Sequence, residues 1–368
     1  MIPIAIYPYC AELLPIIRHF DTLQTGYKLQ RLISPPGLSL TGHDAAYVCS
    51  QPDTGYTVTE LDGEGDMTWE TLFVFKPLYE PSISDELLYE AAAWAVEADK
   101  GVIFFANTVS DIPAGVMELA RRKPAQVKLH SYDVKFTKTV NSNTQLNQIE
   151  KPIILVGGLL EQPGVTETLL NIYKGLVLDG LSPLVFAKQP VTNIFGFHNI
   201  SHVMEDKQKS NSEKTIYINT LIRSLECKTA PDVILIEAPD ALMRFNDFDP
   251  NGFGIGSFML CQAARPDYIV CDIPFELAYG PLMEAYSKDF EYRLGNAITA
   301  AIMGNYIVDS AELQQTNKIS VVYADREAIE EQQKQYAKHS AVPVFSPYDG
   351  QSGLYSYLRK AITGDSNI

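Results

Sequence analysis

The sequence predicts an α/β fold with two parallel sheets, and three observations carry that expectation. Short apolar runs alternate with amphipathic ones twice along the chain, as strands and covering helices do in a parallel sheet. Between the two series lies a polar stretch, residues 137–150, rich in Asn and Gln. Residues 153–168, Ile-Ile-Leu-Val-Gly-Gly-Leu-Leu-Glu-Gln-Pro-Gly-Val-Thr-Glu-Thr, lead from an apolar strand through a glycine turn into a helix. That layout belongs to a phosphate loop, in which bare backbone N–H groups and a helix N-terminus face an anion. The expected organisation is a Rossmann-like domain over 1–136, a linker over 137–150, and a P-loop-NTPase-like domain over 151–368 with a degenerate phosphate loop.

In the first domain, strands are expected at 2–7, 27–33, 72–75, 102–106 and, at an edge, 127–129, with helices at 11–22, 85–97 and 116–122. The helix at 85–97 has an Ala-rich face, and Ser34-Pro35-Pro36-Gly37 breaks the chain after the second strand. In the second domain, strands are expected at 153–157, 184–187, 232–237, 267–272, 318–323 and 342–345. Helices are expected at 165–178, up to about Lys228, and at 254–264, 281–302, 325–338 and 350–361. The run Val233–Ile236 is apolar throughout, as a strand buried on both faces should be.

The phosphate loop departs from its standard pattern, G-x-x-x-x-G-K-[ST]. Five residues, not four, separate Gly158 from Gly164, and Val165 stands where the Lys belongs. Thr166 follows in the place of the metal-binding hydroxyl. No other Lys lies in the loop, which weighs against hydrolysis, because that cation neutralises charge on the transferring phosphoryl group. Ligands of parallel sheets bind at the carboxyl ends of strands. That rule selects Gly158, Glu161, Gly164 and Thr166 after one strand, Glu237 after another and Asp272 after a third. An acid ending an apolar strand is the usual holder of Mg²⁺ beside a nucleotide, so Glu237 and Thr166 are the candidate Mg²⁺ residues and Mg·ATP the candidate cofactor. The plainer alternative is an ordinary α/β turn whose acids cap helices.

Four further segments carry polar chemistry. His198 and His202 stand at i, i+4 and would share a helix face; two ligands do not make a metal site, so they are read as substrate or partner contacts. Asn251-Gly252-Phe253-Gly254 is a second glycine-rich helix opening, read as a ligand cradle or a surface between copies of the chain. Ser34 and the neighbours His43 and Asp44 follow a strand, and His43 beside Asp44 has the residue types for acid/base work. Cys10 lies near a helix N-terminus, which would lower its pKa.

Bulk properties narrow the classes. With 368 residues, 46% of them apolar and 20% charged, the chain is long enough for two cores. The net charge of −16 and the lack of a Lys/Arg cluster argue against a nucleic-acid binder and leave solubility or a basic partner as readings. No apolar run reaches about 18 residues, so no membrane partner is expected. The N-terminal Met-Ile-Pro-Ile-Ala-Ile-Tyr-Pro lacks a basic n-region and reads as a strand. Five scattered cysteines without CxxC spacing point to a reducing cytoplasm.

Several segments together resemble the clostridial-type peptide maturation system proteins, encoded beside radical SAM peptide maturases. They are Ile6-Tyr7-Pro8, Leu32-Ile33-Ser34-Pro35-Pro36-Gly37 with Gly42-His43-Asp44-Ala45, Phe195-Gly196-Phe197-His198, Pro231-Asp232-Val233-Ile234-Leu235-Ile236, Asn251-Gly252-Phe253-Gly254 and Arg265-Pro266-Asp267. Each is weak alone; their order is the family's. The resemblance implies an accessory role in maturing a ribosomally made peptide, with the precursor peptide or the maturase as partner and a homodimer as a further expectation. This chain departs from the family pattern at Val165, where that pattern has Lys, at His43, often Lys, and at Leu38-Ser39, often Trp-Gly. The second domain also resembles the P-loop class that includes dethiobiotin synthetase, with Glu237 at the position of the strand-ending acid by strand order. That second likeness implies an ATP-dependent ligase or kinase as the alternative, with a Lys or Arg from elsewhere replacing the missing cation. A purely structural subunit of a maturase complex is the third reading.

Overall fold

The computed structural model describes residues 1–23, 26–61, 68–80, 82–132, 145–247, 253–277, 280–317, 319–336, 341–349 and 353–363. The chain divides into two compact units, Met1–Lys135 with Gln189–His202, and Phe136–Lys188 with Val203–Ile368. Most of the expected linker lies outside the described residues. Segment 189–202, expected in the second domain, belongs to the first unit, because it buries its apolar side chains there. Val191 and Phe197 are buried, and the Phe195 ring meets that of Phe20 edge-on at 6.1 Å. Its polar groups are matched as well: Asn199 Nδ2 donates to Asn107 Oδ1 at 3.0 Å, and Gln189 Nε2 to Glu12 Oε1 at 3.2 Å.

The first unit holds β1 (Ile2–Tyr7), β2 (Tyr27–Ile33), β3 (Val58–Thr59), β4 (Thr71–Phe75), β5 (Gly101–Ala106) and β6 (Val127–Ser131). All pairs are parallel, in the order β3-β2-β1-β4-β5-β6, the doubly wound Rossmann order. Its helices are α1 (Leu14–Phe20), α2 (Asp85–Glu97) and α3 (Ala114–Arg122). Ser84 caps α2, accepting from Leu87 N–H at 3.3 Å, and α2 buries Leu88, Ala91, Ala92 and Ala95. The turn after β1 is Tyr7-Pro8-Tyr9-Cys10, with no glycine to admit a pyrophosphate. Nearby, the buried Glu12 carboxylate accepts from Leu78 N–H at 3.0 Å and Tyr79 N–H at 2.8 Å.

The second unit holds β7 (Ile153–Gly158), α4 (Pro163–Leu178), β8 (Pro183–Phe186), α5 (Ser201–Glu205), of which only Val203–Glu205 lie in this unit, α6 (Asn211–Thr229), β9 (Val233–Glu237), α7 (Ile255–Ala263), β10 (Tyr268–Ile273) and α8 (Gly280–Leu294). It continues through β11 (Ile298–Met303), β12 (Tyr306–Val308), α9 (Ser310–Thr316), β13 (Val321–Tyr323), α10 (Arg326–Tyr336), β14 (Val344–Phe345) and α11 (Leu354–Thr363). Its main sheet is parallel in the order β14-β11-β10-β7-β9-β8. From β7 the chain passes to the outer strand β8, returns to β9 on that side, and then crosses to β10 on the other. The winding reverses at β7, so the carboxyl ends of β7, β9 and β10 form the switch point where α/β sheets bind ligands.

The helix read over 281–302 ends at Leu294, where Gly295 takes φ +90°, and Ile298–Met303 becomes a strand between β10 and β14. Ala300 and Ala301 favour helix by propensity, but pairing on both sides outweighs it. Strand 318–323 shortens to β13, which pairs antiparallel with β12, an element the sequence reading did not foresee. No helix among the described residues is long and apolar enough to cross a membrane. All five cysteines are free, and burial pushes the Cys10 thiol well above its ordinary range, opposite to the lowering expected from a helix end.

Entry into β7 is fixed by Glu226 of α6. Its buried carboxylate accepts from Glu150 N–H at 2.8 Å and Lys151 N–H at 2.7 Å, and Arg223 Nη1 pairs with it at 2.6 Å. Glu226→Ala therefore leaves two N–H groups without acceptors. We expect a loss of ~1–3 kcal/mol in urea unfolding, whereas a loss within error would show that the anchor is dispensable.

Candidate functional site

The site is built around Glu237, the last residue of β9, paired in register with Val156 of β7 and 4% exposed. Thr166 in the first turn of α4 donates its hydroxyl to Glu237 Oε1 at 2.7 Å. Lys188, two residues beyond β8, donates its backbone N–H to Oε2 at 2.8 Å. Burial raises the pKa of this carboxyl, opposed by those two hydrogen bonds and by the Lys188 charge. The three strand-end neighbours expected to converge here do so: the turn after β7, Glu237 after β9, and Asp272 in β10, in register with Gly158.

A cation that the loop itself lacks arrives from β8. The Lys188 ammonium pairs with Glu161, one residue ahead of Gln162, the N-cap of α4, and its side chain is 11% exposed. The sequence reading missed Lys188, although it follows a strand end and the same rule could have selected it. Val165 is buried and holds no charge in the loop. Gly158 and Gly164 are required by close approach. A Cβ on Gly158 would lie 2.5 Å from the Leu160 carbonyl oxygen, and one on Gly164 would lie 2.9 Å from Asp272 Oδ2.

Asp272 is 1% exposed and accepts the Tyr306 hydroxyl on Oδ1 at 2.6 Å. Burial raises its carboxyl to about 7, against the lowering effect of that hydrogen bond. Tyr306 lies on the unforeseen β12, so nothing in the linear pattern pointed to it. Glu161 and Glu237 thus lie beside one ammonium, that of Lys188, and Asp272 stands at Gly164. A bare polyphosphate would meet net repulsion there, and a metal-neutralised one would meet less. Thr166 and Glu237 offer hard oxygen donors that fit Mg²⁺. No group of three or more His, Cys, Asp or Glu side chains among the described residues could hold a metal ion.

The other candidates are placed differently. His198 precedes α5 and His202 lies within it, so they do not share a helix face; both belong to the first unit. The His202 ring stacks near Tyr132 at 5.9 Å, and burial lowers its pKa to about 4, leaving it neutral at physiological pH. Asp44 does not orient His43. Its carboxylate accepts from Ala46 N–H, Thr54 N–H and hydroxyl, and Gly55 N–H, and against the raising effect of burial these bonds hold it below the usual range. His43 instead stacks on Tyr47 at 3.9 Å. Ser34 is buried, its N–H donating to the Thr59 carbonyl at 2.9 Å, a strand-end role. Asn251 and Gly252 lie outside the described residues. Gly254 sits at φ +67° with the Leu242 carbonyl oxygen 2.5 Å from where a Cβ would be, so it serves a tight turn. The helix it opens is already capped by an acid, since Gly256 N–H and Ser257 N–H donate to Asp240 at 2.8 and 2.7 Å. The Asp240 carboxylate thus meets the positive end of that helix.

No family model and no curated protein matches the chain. Among solved structures, the chain is similar to a DUF1611 family protein from Anabaena variabilis, with 12% identity, a TM-score of 0.61, and coverage of 99% of this chain and 100% of that one. It also matches chloroplast FtsY from Physcomitrella patens at 15% identity and a TM-score of 0.34, over 76% of this chain and 90% of that one. The first likeness shows a shared α/β fold over the whole length.

Asp272 makes stability depend on pH in a predictable direction. Its folded pKa, about 7, exceeds the ordinary value of 3.8, so between them the folded chain holds the extra proton and stability falls as pH rises. The slope from this group approaches ~1.4 kcal/mol per pH unit inside that window. Asp272→Asn should flatten the profile there and be the more stable protein at pH 8 in urea titrations. Parallel profiles for the two proteins would show that Asp272 titrates normally.

Proposed function

We propose that the second unit binds a nucleoside triphosphate with Mg²⁺, and that the protein is an accessory factor in maturing a ribosomally made peptide, working with the precursor peptide or a radical SAM maturase. The contact between Thr166 and Glu237 carries the nucleotide part of this reading. In P-loop proteins the hydroxyl that follows the phosphate loop and the acid ending a strand hold Mg²⁺ together. Here those two residue types touch at 2.7 Å at the switch point of the sheet. Mg²⁺ would supply charge neutralisation for the phosphates. The chain's own part is to orient them: Gly158 and Gly164 let backbone approach, α4 presents its N-terminus, and Lys188 brings the cation that Val165 cannot. The peptide-maturation part rests on the ordered sequence resemblance.

A second reading, an ATP-dependent ligase or kinase, is favoured by Lys188. Its ammonium is held beside the loop by Glu161 and is available to a phosphoryl group that displaces that carboxylate. A structural subunit of a maturase complex would need neither site.

Calorimetric titration separates these readings. Mg·ATP should bind saturably in the micromolar range, and ATP without Mg²⁺ at least about tenfold more weakly, because Glu161 and the buried Glu237 already offset the single Lys188 charge. Thr166→Val should remove most of the Mg²⁺ advantage, and Lys188→Ala should weaken both forms. Slow turnover lost in Lys188→Ala would favour the enzyme. No heat at millimolar nucleotide would reject nucleotide binding and leave peptide or maturase binding to be measured.

A further inference from the structure

The nucleotide reading leaves one buried acid without a task. Asp272 is built into the loop twice: its carbonyl accepts from Leu159 N–H at 3.0 Å, and its side chain reaches the first turn of α4. Tyr306 engages Oδ1, whereas Oδ2 accepts no hydrogen bond from any described residue. Oδ2 instead faces Gly164, where a side chain would leave it no room. An ionised Oδ2 would repel a phosphoryl oxygen arriving at this helix end, whereas a protonated one would donate to it.

We propose that Asp272 meets the phosphoryl group as a carboxylic acid, donating from Oδ2–H at the N-terminus of α4, so that nucleotide binding takes up one proton. The proposal rests on the nucleotide reading of the same site. The proton comes from solvent and bonds to Oδ2, and no other bond is made or broken. The groups around the carboxyl support that location. Tyr306 stays protonated, because burial and the charge of Asp272 push its phenol well above the ordinary range, so it remains the donor to Oδ1. Burial likewise keeps the neighbouring Cys271 thiol protonated. Glu276 is turned to the Val308 N–H at 3.0 Å. The apolar side chains of Leu160, Val308 and Leu313 pack around Tyr306 and exclude water from it. With its carboxyl near 7, Asp272 must gain its proton on binding in mildly alkaline solution.

The test is Mg·ATP affinity of the full chain from pH 6.5 to 8.5, with proton uptake at pH 8 read by calorimetry in buffers of different ionisation enthalpy. Mg·ATP has no phosphate that titrates over this range. The native protein should lose about 20-fold in affinity over the range and take up about one proton at pH 8. Asp272→Asn, which keeps a donor, should bind with less than about threefold change and lose that uptake. Tyr306→Phe removes the hydrogen bond that favours the ionised carboxyl, so it should move the fall in affinity to higher pH even if Asp272→Asn does not fold. Equal pH profiles and uptake in native protein and Asp272→Asn overturn the proposal while nucleotide binding stands, as does an unmoved midpoint in Tyr306→Phe. Absence of Mg·ATP binding at every pH overturns both.

Discussion

A single buried carboxylate, Glu237, ties together three pieces of the second unit. It ends β9, receives the Thr166 hydroxyl from the first turn of α4, and receives the Lys188 N–H from the chain leaving β8. A buried charge is tolerated only when its hydrogen-bonding capacity is met, so these partners are fixed by the cost of leaving the carboxylate bare. The position of Lys188 follows from its backbone bond, and from there its ammonium reaches Glu161. The local charge pattern of the loop is therefore a consequence of one strand-ending acid.

Much of this architecture is legible in sequence, for identifiable reasons. Parallel strands buried on both faces are unbroken apolar runs, so Ile153–Val156 and Val233–Ile236 stand out. Caps are local, so α2 begins after Ser84 as the pattern requires. Strand-end placement follows from topology, which is why Gly158, Glu237 and Asp272 converge. What failed depends on distant contacts. Ile298–Met303 reads as helix until β10 and β14 pair with it. Segment 189–202 reads as part of the second domain until its apolar side chains find the first unit. The motif points to position 165 and not to Lys188, although a long flexible side chain from a neighbouring strand end can deliver the same charge.

The first unit shows how fold and site separate. It has the Rossmann strand order, yet its first turn carries Pro8 and no glycine, and the Glu12 carboxylate accepts the Leu78 and Tyr79 N–H groups nearby. Strand order comes from burial and handedness, whereas a dinucleotide site needs a bare backbone turn, and only the former is present here. In the second unit the glycine turn is present and the cation is displaced.

In the proposed site, Thr166 and Glu237 would together hold a metal–nucleotide complex. Electron paramagnetic resonance of Mn²⁺·ATP, with Mn²⁺ in place of Mg²⁺, addresses it directly. Adding the protein should deplete and broaden the free Mn²⁺·ATP signal, and Glu237→Gln should restore it. A spectrum unchanged by millimolar native protein would rule that complex out.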